Sequence, residues 1–190
     1  MSLFSKLLLK TRVRQLEDIL VRAVPVAALF PAGEPASPDF LFTSGKQNRF
    51  NPPGTHCLYF SESELIALAE YRRQFHGIRQ KAKQPVILFF AEVRLQRVVD
   101  LCDGPTCRML GLSGKQLESN WGGGLPLTPL QRLGGAVATQ SKISAIRYPS
   151  VAAMKAGFAG ANIVVFKSNV CSPDFVRILG PTKKPIQEWP

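Results

Sequence analysis

Histidine is almost missing from this 190-residue chain: His56 and His76 are its only imidazoles. The four cysteines, Cys57, Cys102, Cys107 and Cys171, are few and show no C-x-x-C pair. A structural zinc site is therefore not expected, and the thiols read as reduced side chains of a cytosolic protein. Long apolar runs are absent as well. No stretch approaches the length of a membrane span, and the apolar core of MSLFSKLLLK is too short for a signal peptide, so the expected location is cytoplasmic, away from membranes. Acidic residues are scarce, 13 against 24 Lys and Arg, which leaves a formal charge of +11. Such a charge suits nucleic acid, an anionic surface, an acidic partner protein or a phosphorylated small molecule. The cations, however, stand in ones and twos with no interleaved aromatic platform, which argues against direct nucleic-acid binding.

What is present is an ordinary folding composition. With 45% hydrophobic and 19% charged residues, the chain reads as one domain over residues 1–190, long enough to bury a core. Val13, Leu16, Ile19, Leu20 and Val24 recur at steps of three and four, which predicts an amphipathic helix from about Lys10 to Ala23 in an N-terminal extension of residues 1–39. Residues 30–38 read as loop and Phe40-Leu41-Phe42 as a short strand. Val86 to Val93 is a continuous apolar run of strand length that suits a strand buried on both faces, with a short buried helix the alternative that periodicity leaves open; a separate strand at 97–101 and a short helix or turn at 104–112 are expected to follow. Gly122-Gly123-Gly124 lacks the flanking Lys-Ser/Thr of a phosphate loop and reads as a flexible connection. Thr128 and Pro129 open a helix to Gln140. Strands are predicted at 144–148, 161–166 and 175–179, followed by a polar tail. The mixture, without regular β-α alternation, places the chain in the α+β class.

The most informative stretch runs from Asn48 to Glu70. Pro52, Pro53 and Gly54 mark a turn. Cys57 to Phe60 reads as a strand. Ser61 with Glu64 has the form of a capping box, which starts a helix near Glu62. On that helix Glu70 follows Ile66 and Ala67 at one-turn spacing, so a carboxylate emerges from a largely apolar surface. By local pattern alone it pairs equally well with Arg72 or Arg73 on a solvated face. Arg49 is by itself a surface cation, and Tyr59 a core aromatic.

Taken together, Arg49-Phe50-Asn51, Gly54-Thr55, Leu58-Tyr59, Ser61-Glu62-Ser63, Ala67 and Glu70 resemble the first block of the RES family, named for its Arg, Glu and Ser. Ile146 to Ser150 looks like the family's later Pro-Ser element, with Ser150 as the serine, and Asn162 falls where the family often has an asparagine. Arg97-Val98-Val99-Asp100-Leu101 and Trp121 resemble further family positions. The likeness is clearest over residues 40–180. It departs from the pattern where Gln47-Asn48 replace the glycines that often precede the arginine.

The resemblance implies a fold related to ADP-ribosyltransferase domains, with two sheets around a cleft, and chemistry on NAD as substrate without a metal. In that reading Arg49 binds the diphosphate, Tyr59 stacks on or shapes the nicotinamide pocket, Glu70 stabilises the sugar cation, and Ser150 and Asn162 contact the dinucleotide. The acceptor stays open among water (an NAD hydrolase), phosphate (a phosphorylase) and a protein side chain (an ADP-ribosyltransferase). The family's biology implies a bacterial toxin silenced by a cognate antitoxin, and homo-oligomerisation is left open. The competing class is a non-enzymatic basic module, in which Arg49 and Glu70 form only a structural ion pair. Salt-dependent nucleic-acid binding without NAD turnover distinguishes it.

Overall fold

The strand Val86–Asp100 organises the molecule because its neighbours change along its length. In the computed structural model, which describes residues 2–29, 41, 45–74, 85–119, 126–140 and 142–190, the elements run α1 (Leu3–Leu8), β1 (Val13–Pro25), α2 (Val26–Leu29), β2 (Cys57–Ser61), α3 (Glu64–Gln74) and β3 (Val86–Asp100). They continue with α4 (Gly104–Met109), α5 (Gly114–Glu118), α6 (Pro129–Ala138), β4 (Ala145–Pro149), α7 (Val151–Lys155), β5 (Ala161–Phe166), β6 (Phe175–Leu179) and β7 (Pro185–Trp189). One edge of β3 pairs with β1 from end to end. The other edge pairs with β6 over Phe90–Arg94 and, in parallel, with β4 over Val98–Asp100.

The sheet order is β1-β2-β5-β4-β3-β6-β7 with an additional β1–β3 pairing, so the first five strands in that order close on themselves. The resemblance implies two sheets around a cleft; hydrogen bonding here runs through one bent seven-stranded sheet. Inside the ring lies a core to which all five strands contribute, among them Leu20, Leu58, Val93, Ala145 and Ile163. The alternate residues face outward. Cys57, Ile146, Val164 and Phe166 pack there against Leu8, Leu133 and Val137 of α1 and α6. Tyr59 and Tyr148 belong to this outer, helix-covered side.

Several expectations are corrected. The predicted helix at 10–23 is strand β1. Of its four buried residues, Leu16, Leu20 and Val24 are four apart, with Val21 between them, and a step of four is two strand periods as well as about one helical turn. Pairing with β3 decides for the strand. The apolar run at 86–93 is not buried on both faces: Val86 to Phe90 are partly exposed, and Val86 to Phe89 have a strand partner on only one edge among the described residues. The separate strand expected at 97–101 is the continuation of β3 to Asp100. The polar tail holds an unexpected edge strand, β7. Helices α1, α5 and α7 were likewise not anticipated. By contrast α6 begins as predicted, with Thr128 capping, Pro129 in the first turn and Gln131 completing a capping box. Residues 30–38, Phe40, Phe42, His76, Trp121 and Gly122–Gly124 lie outside the described residues. No helix among the described residues is long and apolar enough to cross a membrane.

One ion-pair network ties the ring together. Arg147 on β4 donates from Nε to Glu62 Oε1 at 2.6 Å and from Nη1 to Asp100 Oδ1 at 3.1 Å, while Arg14 on β1 reaches Asp100 Oδ2 at 3.1 Å. The other Glu62 oxygen accepts from the Ala161 amide of β5. Arg147, Glu62 and Asp100 are partly buried while Arg14 is exposed, so removing the shared cation leaves Glu62 with the Ala161 amide alone and Asp100 with its rim partner Arg14. Arg147→Ala is expected to lower unfolding free energy by about 1–3 kcal/mol in denaturant titration. Arg147→Lys is expected to recover only part of it, because an ammonium lacks the planar fork that spans both partners.

Candidate functional site

Three side chains from distant parts of the chain meet at one end of the ring. Across the sheet, Ser61 of β2 pairs with Asn162 of β5, and Asn162 with Tyr148 of β4. The Asn162 amide is held from one side by the Ser61 hydroxyl, which donates to its Oδ1 at 2.7 Å. Its Nδ2 then donates to Glu70 Oε1 at 2.8 Å. The Ser150 hydroxyl donates to the same oxygen at 2.7 Å, while accepting from the Ala153 amide as the N-cap of α7. Glu70 is therefore not in the Arg72 or Arg73 pairing that local spacing also allowed. Its carboxylate is anchored by two neutral donors on a helix that packs on α7 and β1.

Ser61 does not cap α3 as expected. Strand β2 extends through it and spends its hydroxyl on Asn162, and Ser63 accepts from the Ile66 amide at 3.4 Å in its place. The helix starts at Glu64.

Arg49 sits beside this cluster and is only 8% exposed. Its Nη2 donates to the carbonyls of Leu117 and, at 3.5 Å, Ser119, and its guanidinium lies 5.8 Å from the centre of the Tyr148 ring, within cation–π range. Its Nε is buried without a hydrogen-bond partner among the described residues. Burial pulls the Arg49 pKa down and Arg73 adds to that, whereas Tyr148, Glu70 and Tyr59 oppose it. A buried guanidinium with one unpartnered N–H is suited to receive an anion.

Tyr59 holds the loop that carries Arg49. Its hydroxyl donates to Asn51 Oδ1 at 2.8 Å and accepts from the Phe50 amide at 3.1 Å. Burial raises its pKa well above the ordinary phenol value, so it stays a neutral donor. Asn51 in turn staples the turn through the carbonyls of Lys46 and Thr55. On the far side α6 supports the same loop: Gln131 donates to the Asn48 carbonyl at 2.9 Å, and Gly134 lies directly under the Phe50 carbonyl. The Phe50 ring meets Tyr148 at 4.6 Å between centroids.

Ser150, Glu70 and Asn162 are thus joined by hydrogen bonds, and Arg49 and Tyr59 reach them through Tyr148 and the 48–51 loop. Three contributors escaped sequence reasoning. Tyr148 stands two residues before Ser150 with its ring under the Arg49 guanidinium; burial raises its pKa, with Arg49 opposing the rise and Glu70 adding to it. Gln131 was read only as a helix residue. Arg22 on β1 donates to the Tyr59 carbonyl at 3.3 Å, and burial pulls its pKa down to about 10, against Tyr59 and Tyr148. The signal for it was an arginine inside Ile19-Leu20-Val21-Arg22-Ala23-Val24, where an amphipathic helix offered it a solvated face. No group of three or more His, Cys, Asp or Glu side chains suited to a metal occurs among the described residues.

The family model that describes the RES domain matches residues 22–188. Among solved structures the chain is similar to the crystal structure of the M. tuberculosis MbcT-MbcA toxin-antitoxin complex. The TM-score is 0.66 at 15% identity, covering 98% of this chain and 90% of that one. At that identity the likeness concerns the fold. None of the curated proteins matches the chain.

Proposed function

The chain belongs to the RES domain family, and from that premise we propose that it consumes NAD by breaking the bond between nicotinamide and ribose. The observation that carries this reading is a carboxylate fixed by two neutral donors, with the buried Arg49 guanidinium near enough to feel its charge. Cleavage of that bond builds positive charge on the ribose while nicotinamide departs as a neutral base. The Glu70 carboxylate stabilises the developing cation, and its attraction grows toward the transition state. Ser150 and Asn162 hold Glu70 in place and offer hydrogen bonds to ribose hydroxyls. Arg49 and Arg22 supply the cations for the diphosphate. Tyr59 shapes the nicotinamide side through the loop it secures.

The ribosyl cation is then captured. With water the products are nicotinamide, ADP-ribose and a proton; with inorganic phosphate they are nicotinamide, an ADP-ribose phosphate and a proton; with a protein nucleophile they are nicotinamide, an ADP-ribosylated side chain and the proton that side chain loses. In this reading the fold is akin to ADP-ribosyltransferase domains, and the protein is the toxin of a pair whose cognate antitoxin silences it, as the toxin–antitoxin neighbour of the same fold suggests. The test is chromatography of NAD incubated with purified protein, with and without phosphate, and mass spectrometry of the products. Absence of free nicotinamide under every condition sinks the reading.

Arg22 offers a separate check. A half-buried, desolvated cation whose only described hydrogen bond is to a carbonyl burdens the ligand-free fold. Arg22→Met is therefore expected to raise the thermal midpoint of the free protein by a few degrees, and to raise KM for NAD about tenfold with a smaller change in kcat. A lowered midpoint with unchanged KM contradicts it.

A further inference from the structure

Away from the Glu70 cluster, where α1 lies against α6, the surface opens into a groove of about 1230 Å³ that none of Arg49, Tyr59, Glu70, Ser150 or Asn162 lines. Its apolar wall includes Phe4, Leu7 and Ala136, and it is flanked by large apolar side chains that the fold leaves in water: Leu3 is 72% exposed, Leu9 67% and Met109 44%. Their clustering in one concave place is the mark of an interaction surface. The charged side chains that line the same groove are Arg108, Arg132 and Lys142, all exposed, and no Asp or Glu among the described residues joins them.

We propose that this groove docks an acidic amphipathic helix of a partner protein. An apolar stripe in the groove covers the leucines and Met109, and carboxylates along its flanks meet the three cations. The volume accommodates roughly two to three turns of a helix about 10 Å across. A second copy of this chain, at +11, brings charge of the wrong sign, and a flat bilayer does not fill a concavity. The proposal does not depend on the NAD reading.

The test uses the full-length chain and a labelled synthetic helix of about four turns, leucine on one face and glutamate on its flanks, with the same peptide carrying lysine for glutamate as comparator. Fluorescence anisotropy is expected to give micromolar binding of the acidic peptide only. Binding is expected to weaken about tenfold in the Arg108→Glu, Arg132→Glu double variant, and with added salt. Both arginines are exposed, so the variant is expected to keep the wild-type melting temperature. Hydrogen exchange on the wild-type protein supplies a readout that needs no variant: peptide is expected to protect residues 3–9 and 129–139. Equal binding of the lysine peptide, no binding of the acidic one, affinity unchanged by charge reversal, or protection elsewhere overturns the proposal. So does capture by phosphatidylglycerol vesicles that the acidic peptide fails to displace.

Discussion

Glu70→Gln is expected to slow nicotinamide release by about 10²- to 10³-fold, with KM for NAD little changed. The substitution isolates charge from shape. The glutamine oxygen still accepts from Ser150 and Asn162, which hold Glu70 Oε1 at 2.7 and 2.8 Å, so the helix, the cap of α7 and the sheet row keep their bonds. What disappears, on the proposed chemistry, is the negative charge set against a ribose that becomes cationic only as the bond breaks, and an interaction made mainly in the transition state appears in kcat. Glu70→Ala is a poorer probe because it also strands two buried donors and costs stability. Nicotinamide release at the wild-type rate in a folded Glu70→Gln protein removes Glu70 from the chemistry.

Gly134→Ala is expected to destabilise the protein by about 3 kcal/mol or more. Intrinsic helix propensity points the other way, favouring alanine by roughly 1 kcal/mol inside a helix such as α6. Sterics decide the sign. A Cβ at residue 134 would sit 1.6 Å from the Phe50 carbonyl oxygen and 2.7 Å from its carbon, and both are backbone atoms of a loop already fixed by Tyr59 and Gln131. Any relaxation pushes Phe50 away from α6 and moves Arg49 with it, so the surviving folded fraction is expected to bind NAD more weakly. The neighbouring Gly135→Ala is the control: its Cβ would meet only the Pro52 ring, at 3.3 Å, and a change within roughly 1 kcal/mol is expected there. Chemical denaturation of the two variants side by side checks the pair, and equal stability of Gly134→Ala and wild type refutes the account.

How far residues alone reveal this molecule depends on whether a local pattern has one solution. Thr128-Pro129-Leu130-Gln131 permits only a helix start, and α6 begins there. Cys57 to Phe60, Ala161 to Phe166 and Phe175 to Leu179 are short β-branched or aromatic runs between turn signals, and each is a strand. Leu16, Leu20 and Val24 fit two periods at once, and only the partner β3, some seventy residues away, resolves them. Misreading β1 also hid Arg22, since a helix supplies a solvated face that a ring strand does not. Edge strand β7 carries too little apolar alternation to stand out. At the site, the RES likeness pointed to Arg49, Tyr59, Glu70, Ser150 and Asn162, but Ser-x-x-Glu looked like a cap because nothing local says that Ser61 belongs to the sheet. Hydrogen bonds across 80 and 92 positions, from Ser150 and Asn162 to Glu70, lie beyond any periodicity argument.

Strand β5 lies between β2 and β4 in the ring, although it is made after both, and this order governs what a ribosome-bound chain can do. Until residues 161–166 emerge, β2 lacks its partner on the β5 side, Asn162 does not exist, and Glu70 has only one of its two donors. Ring closure by such distant segments is a late, slow event. On the proposed function, chains that end before residue 161 are expected to be inert, and activity is expected to begin only after synthesis has passed the last strand of the ring.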